Sequence, residues 1–467
     1  MKKKILIFFI IIIFIIPLIY MNKNIEKREE KIPNEESKGY MVSWNNSSEM
    51  IEIKNNYKAN ISLDDKNKIY IIDLVVDIVN DSEDEWNRIY FRDYPSAFTN
   101  EENGNISEIT EVLDTRTSKK LEIGREDDKT VFFINLNSSL KPNKTISISM
   151  KYKAYIPNLN ARYGYQNIGV NGLDFYLGNC IPILCPYENG NFQYYPYFSV
   201  GECFYSRIAN YNVNITVPKG YSVIATGDRE DNGYNNDETI TYTYIANAVR
   251  DFTIIIGNNY KEYTEEIDGI KVNTYFHLGN ENKGIEALKL GTETIKDLNT
   301  RLGKYPYNNF NIVEAHMDMM GMEYPQIILI TDEETGIGSI THEIIHQWFY
   351  SLIGNNSYTS AWIDESITTY LANPGLDEYE GIITKKYNEY QSDSDYTFYI
   401  YFCGASMYNR LEKEYGTDKI NNFMLDLINN YAYKEITTNQ LVELLKKHYG
   451  DKNEILEKYI EEKYLYK

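Results

Sequence analysis

Two of the chain's five histidines stand four residues apart, with a glutamate directly after the first: His342-Glu343-Ile344-Ile345-His346. Apolar positions at helical spacing flank the pair. Residues i and i+4 share one face of a helix, so both imidazoles can approach a single ion. Glu343 then projects close to that ion, where it can take a proton from an attacking water. Glu365 follows His346 by nineteen residues, inside a second helical pattern, "AWIDESITTYLA". The intervening "IGNNSYTS" is long enough to reverse the chain and bring Glu365 back as a third ligand. Two histidines and one carboxylate leave a fourth tetrahedral position for water, which is the catalytic rather than the structural kind of zinc site. Zinc in such a site brings a water pKa towards ~7 and polarises a carbonyl, so the chemistry implied is hydrolysis. With histidine so scarce, a chance match to this spacing is improbable. His277, His316 and His448 are isolated and read as structural or exposed.

The elements that must position these residues follow from periodicity. Ser339 is placed to cap the start of the first helix, and Gly354-Asn355 marks its end. On either side of that helix, "NKGIEALKLGTETIKDLNTRLG" before it and "DKINNFMLDLINNY" and "TTNQLVELLKKHYG" after it repeat at 3.6 residues. Upstream, from about Met41 to Tyr260, stretches such as "KIYIIDLVVDIVN" and "YNVNITVPKGYSVIATG" are rich in Ile, Val, Tyr and Thr and are punctuated by Asn, Asp, Gly and Pro, the signature of sheet with turns. The predicted layout is a membrane anchor or uncleaved signal (1–22), a tether (23–44), an all-β domain (45–261) and a mixed, mostly helical α+β catalytic domain (262–467).

The anchor rests on three lysines, Lys2 to Lys4, followed by an uncharged apolar run from Ile5 to Met21. Seventeen residues sit at the lower limit for a spanning helix. A cleavable signal peptide competes with it, although no small-x-small cleavage site follows the run. The lysines would stay on the cytoplasmic side and place the remainder outside the cell. A net charge of −21 opposes binding to a phosphate backbone, so no nucleic-acid partner is expected. The spacing of Cys180, Cys185, Cys203 and Cys403 matches no zinc knuckle. Either a Cys180–Cys185 or Cys185–Cys203 disulfide, or buried free thiols, fits their positions.

At these residues the chain resembles the aminopeptidase N family of zinc metallopeptidases, gluzincins with H-E-x-x-H, eighteen residues and then Glu. "HMDMMGMEYPQIILI" is similar to the family's G-x-M-E-N exopeptidase segment, with Gly321, Met322, Glu323 and Tyr324 at its last four positions and Tyr324 replacing the usual Asn. "IYFCGASMYNRLEKEYG" is similar to its Y-x-K-G-A segment, aligning Tyr401, Gly404 and Ala405, with Cys403 where lysine is common. "RIYFRDYPSAF", "ITVPKGYSVIATG" and "RDFTIIIGNNY" resemble pieces of the family's N-terminal β domain, so the likeness spans about residues 45 to 467. In "WIDES", Asp364 and Ser366 stand where the family usually has Asn and Gly.

The resemblance implies a thermolysin-like catalytic domain with one Zn2+ per chain, held by His342, His346 and Glu365. It makes Glu343 the general base and then proton donor, Tyr401 the hydrogen-bond donor to the developing oxyanion, and Glu323 the partner of a substrate α-ammonium. Gly321 and Met322 would offer backbone contacts to substrate, Glu188 a second polar contact from the β domain, and Thr369 support to a zinc ligand. The implied substrates are peptides with a free N-terminus. The alternatives are a zinc endopeptidase or selective processing protease with an open cleft, and a catalytically silent peptide-binding module. The chain is expected to lack the family's large C-terminal helical domain. Its cleft is then more open, to larger substrates or to a partner protein that supplies the wall.

Overall fold

In the strand Asn55–Asp64, Tyr57, Ala59, Ile61 and Leu63 point inward while Lys58, Asn60 and Ser62 face water. Its neighbour Ile69–Val79 does the same with Tyr70, Ile72, Leu74, Val76 and Ile78. A period of two with one dry face is what a half-buried strand requires. Each buried Ile, Leu or Val side chain among them contributes about 1.5–3 kcal/mol. In the computed structural model these two strands sit at the centre of an eight-stranded sheet, antiparallel except where Ala209–Pro218 runs parallel to Asn55–Asp64. Beside it lie two four-stranded sheets, one built on Trp86–Arg92 and Val131–Leu140, the other on Gly172–Leu177 and Ile254–Gly257, and the small hairpin of Tyr187–Glu188 with Asn191–Phe192. A single apolar core joins residues of all three sheets.

The described residues are 40–466 apart from 45–48, 100–103, 199, 202, 231–237, 335 and 377. The expected anchor and most of the expected tether lie outside them. Among the described residues no helix is long and apolar enough to cross a membrane. The expected tether ends earlier than residue 44. Tyr40–Val42 is a strand paired with Ile51–Ile53, and Trp44 is buried in the same core as the downstream helices. An indole and a strand pairing outweigh the polar composition that suggested a tether. Tyr40–Lys467 forms one compact unit.

The downstream region opens as a sheet. Tyr260–Ile267, Ile270–His277, Asn309–Ala315, Ile327–Thr331 and Gly321–Met322 lie side by side in that order, the central three parallel. Helix α1 (Glu281–Leu302) makes the crossover between two of those parallel strands. Helices α2 (Gly336–Ile345), α3 (Trp362–Ala372), α4 (Gly404–Tyr415), α5 (Thr417–Tyr431) and α6 (Thr438–Tyr449) follow. The arrangement is α+β, a mixed sheet followed by helices.

A third core joins the two regions. Tyr94, Tyr176, Phe198, Phe204 and Ile255 from the β side meet Val313, Met317, Met322, Tyr324 and Tyr350 from the other. Met322 and Tyr324 flank Glu323, so the Glu323 turn rests directly on this interface. All four cysteines are buried and free, which resolves the two readings of their spacing in favour of thiols.

Candidate metal and peptide site

The α2 helix begins at Gly336, three residues before the expected cap. Ser339 lies inside its first turn and donates to Gly336 O (2.8 Å) and Met320 O (3.1 Å), tying the helix to the strand carrying Met322. The helix also stops sooner than Gly354-Asn355. After His346 the backbone leaves helical geometry at Phe349 (φ −113°, ψ 70°), and Ile353–Gly354 is a short strand paired with Lys434–Glu435.

This early break matters to the ligands. His346 donates from Nδ1 to the released Phe349 carbonyl at 2.9 Å, which leaves its Nε2 lone pair free to coordinate. His342 Nε2 lies 3.1 Å from His346 Nε2, and Glu365 Oε2 lies 3.2 and 3.3 Å from the two. Zinc bonds of ~2.0–2.1 Å in tetrahedral geometry separate their ligand atoms by about 3.3 Å, so the triangle has the size the ion needs. Its electrostatics agree. Burial disfavours a charge on His346, yet Glu365, Glu323 and Glu343 hold its imidazole well above the ordinary range, the mark of a cluster short of positive charge. A divalent cation supplies that charge, and the residues fit zinc.

Glu343 is buried beside the ligands, and burial raises its carboxyl, with the two imidazoles opposing. A Cβ at residue 321 would overlap the Glu343 carboxylate, so glycine there makes the room that Glu343 occupies. Tyr401 donates its hydroxyl to Glu365 Oε1 at 2.8 Å, and its ring stacks over His342. The turn that carries Tyr401 is seated by Ser366. The Ser366 hydroxyl donates to Ile400 O (2.7 Å), and a Cβ at Gly404 would collide with it. The Ser366 departure from the family pattern thus has a contact of its own.

Glu323 is 2% exposed, and its Oε1 has no hydrogen-bond partner among the described residues. Burial pushes this carboxyl well above the usual range; His346 opposes the rise, and Glu343 and Glu365 add to it. Gln347, directly after His346, holds the Glu323 turn by donating to Tyr324 O (3.1 Å) and accepting from Gln326 N–H (2.9 Å). Nothing in the spacing marked Gln347. Its one signal is an amide inside an apolar "HQWF" run. Tyr324, where Asn was usual, is fully buried in the interface core.

Two expected residues fall elsewhere. Glu188 pairs with the Tyr205 hydroxyl and the Arg207 guanidinium (3.5 Å), in a network that also reaches Asp81 and Glu435. Its Oε1 is thus engaged within the β region, and no hydrogen bond links Glu188 to the Glu323 turn among the described residues. Support to the metal ligand comes from Thr368, not Thr369. Thr368 Oγ1 lies 3.4 Å from His346 Nδ1, whereas Thr369 Oγ1 is buried with no partner among the described residues. One residue turns a helix by about 100°, enough to move a hydroxyl off the ligand. Asp364 is buried next to Glu365 and accepts its backbone N–H (3.0 Å). Burial and the Glu365 charge push its carboxyl up to about 7.

Residues 287–395 match the peptidase family M1 domain. Over 234 residues the chain is 22% identical to aminopeptidase M1-D of Oryza sativa subsp. japonica and 24% identical to aminopeptidase M1 of Arabidopsis thaliana. Each match spans 41% of this chain but only 27% of the plant protein. In overall fold the chain is similar to the M1 zinc metallopeptidase of Deinococcus radiodurans, with a TM-score of 0.62 at 15% identity, covering 85% of this chain and 91% of that one. A mutant of a two-domain M1 zinc metallopeptidase bound to L-arginine matches with the same TM-score and coverage.

Proposed function

We propose that this chain is a zinc metallopeptidase of the aminopeptidase N (M1) family and that it removes residues one at a time from the free N-termini of peptides, a reading supported by the M1 domain match, the plant aminopeptidase relatives and the shared fold. The observation that carries this reading is the buried carboxylate of Glu323, its Oε1 without a hydrogen-bond partner among the described residues, close enough to His346 and Glu365 for their charges to act on it. A dry carboxylate is costly unless a cation meets it. An α-ammonium at Glu323 offsets that cost and brings the first peptide bond to the ligand triangle.

His342, His346 and Glu365 would hold the zinc, which when bound would supply Lewis acidity for the scissile carbonyl and lower the pKa of an attacking water. Glu343 takes the proton of the attacking water and passes it to the leaving amine. Tyr401 turns its hydroxyl from Glu365 to the carbonyl oxygen as negative charge develops there. Gly321 and Met322 lend backbone groups to the substrate main chain. Location is also a proposal. Lys2–Lys4 and the apolar run after them favour a single-pass anchor with the catalytic region outside the cytoplasm, or a secreted enzyme if that segment is cleaved.

The test is to measure zinc content and turnover of a panel of aminoacyl anilides by the purified chain. About one zinc per chain with turnover is expected. Stoichiometric zinc with no turnover of any anilide or peptide would overturn the reading and favour a silent binding module.

A further inference from the structure

Arg250 and Asp251 directly follow the strand Thr239–Val249 of the β region, yet their side chains reach the segment that comes after His346. Arg250 is 2% exposed and is fully satisfied. Nε donates to Tyr350 O (2.6 Å), Nη1 to Ser206 O (3.2 Å) and Glu435 Oε1 (2.7 Å), and Nη2 to Leu352 O (3.3 Å) and Lys434 O (2.8 Å). Five N–H donors therefore meet five acceptors, the whole capacity of a guanidinium. A Cβ at Gly354 would overlap the guanidinium, so glycine lets it lie flat on the backbone there. Beside it, Asp251 accepts the Tyr350 hydroxyl. Two adjacent residues of the β region thus grip Tyr350 at its carbonyl and at its side chain, and grip Leu352 as well.

What they grip is the segment that leaves helical geometry after His346. There the Phe349 carbonyl turns back to His346 Nδ1 at 2.9 Å. Had the helix continued, that carbonyl would point along the axis towards a downstream N–H. Resting on the zinc reading of the ligand triangle, we propose that Arg250 and Asp251 are positioning residues for the metal: they hold the Tyr350–Leu352 backbone so that Phe349 O fixes the tautomer and ring orientation of His346. Through this contact the β region helps to shape the metal site while supplying none of its ligands.

A clamp that only glued the two regions together would affect stability and leave the metal unchanged. The test therefore reads the metal. Zinc affinity, by chelator competition, and the visible spectrum of the cobalt-substituted protein are compared for the purified chain and its Tyr350→Phe, Asp251→Asn and Arg250→Lys variants. Losing such support to a ligand typically weakens metal binding 10–100-fold. At least ~10-fold weaker zinc binding in Tyr350→Phe, with shifted cobalt bands, is expected. Arg250→Lys keeps the charge and loses the fork, and is expected to recover only part of the wild-type affinity. Zinc affinities within twofold of wild type and unchanged cobalt bands, beside a lowered Tm, would overturn the proposal. A wild-type chain that binds no zinc would defeat it together with the functional reading. Wild-type zinc binding without peptide turnover would count against the functional reading alone.

Discussion

Two buried clusters are built from the same residue types and do opposite things. In the first, two imidazoles turn lone pairs towards each other and towards one Glu365 oxygen, with further carboxylates close by. In the second, one imidazole, His277, lies between two carboxylates: Nε2 is 2.7 Å from Asp174 and Nδ1 is 2.9 Å from Glu314. Its ring stacks on Tyr260, and Asn280 donates to the other Glu314 oxygen. Each nitrogen of His277 has an acceptor, so that cluster is complete with the proton the imidazole carries. The metal cluster directs electron pairs inward and is complete only with a cation. What separates them is which atoms face which, not how many histidines or carboxylates each contains.

Substitutions sharpen this contrast. The largest expected effect is Glu343→Gln, which lowers kcat by ~10²–10⁴-fold while the protein keeps its zinc, read by metal analysis beside anilide turnover. Next is His277→Gln, which leaves Asp174 and Glu314 buried without a positive partner. It should cost about 3–5 kcal/mol in urea unfolding, with zinc stoichiometry unchanged.

The pH response of the second cluster follows from its proton. Burial disfavours a charged His277, but the hydrogen bonds and charges of Asp174 and Glu314 outweigh it and raise the imidazole from 6.5 to about 9. A raised folded-state value means that this stabilisation is full below about pH 6.5 and is lost as pH climbs through 9. Unfolding titrations should show a loss on the order of 2–3 kcal/mol between pH 6.5 and 9.5 that is missing in His277→Gln. The smallest effect separates neighbours on one helix. Thr368→Val should weaken zinc binding several-fold and Thr369→Val should leave it unchanged, and equal effects would remove the Thr368 contact from the account.

The metal site was legible because its logic is local. His342, Glu343 and His346 share one helical turn, and the reversal to Glu365 needed only enough chain. Gly321 and Glu323 were legible by resemblance, though not the reason glycine is needed, which is the space taken by Glu343. What stayed hidden depends on helix phase and on long-range contact. Thr368 and Thr369 differ only by a rotation that a pattern of apolar residues does not resolve. Ser339 has the right chemistry for a cap, but a donor to the strand carrying Met322 makes better use of it inside the helix. Glu188 is captured by Arg207 and Tyr205, and Arg250 finds four of its five acceptors about 100 or more residues away, as does the grip on Tyr350. Trp44 sits in a polar-looking stretch and yet belongs to the downstream core.

In the proposed function, recognition of a free ammonium next to a hydrolytic zinc site falls to Glu323. This role is tested most directly by kcat/KM for one peptide with its N-terminus free and with the same N-terminus acetylated, in the purified chain and in Glu323→Ala. The wild type is expected to cleave the free peptide at its first bond and to lose at least ~100-fold on acetylation, and Glu323→Ala to lose most of that discrimination through KM. Equal cleavage of the two peptides by the wild type, or cleavage at internal bonds, would contradict that role.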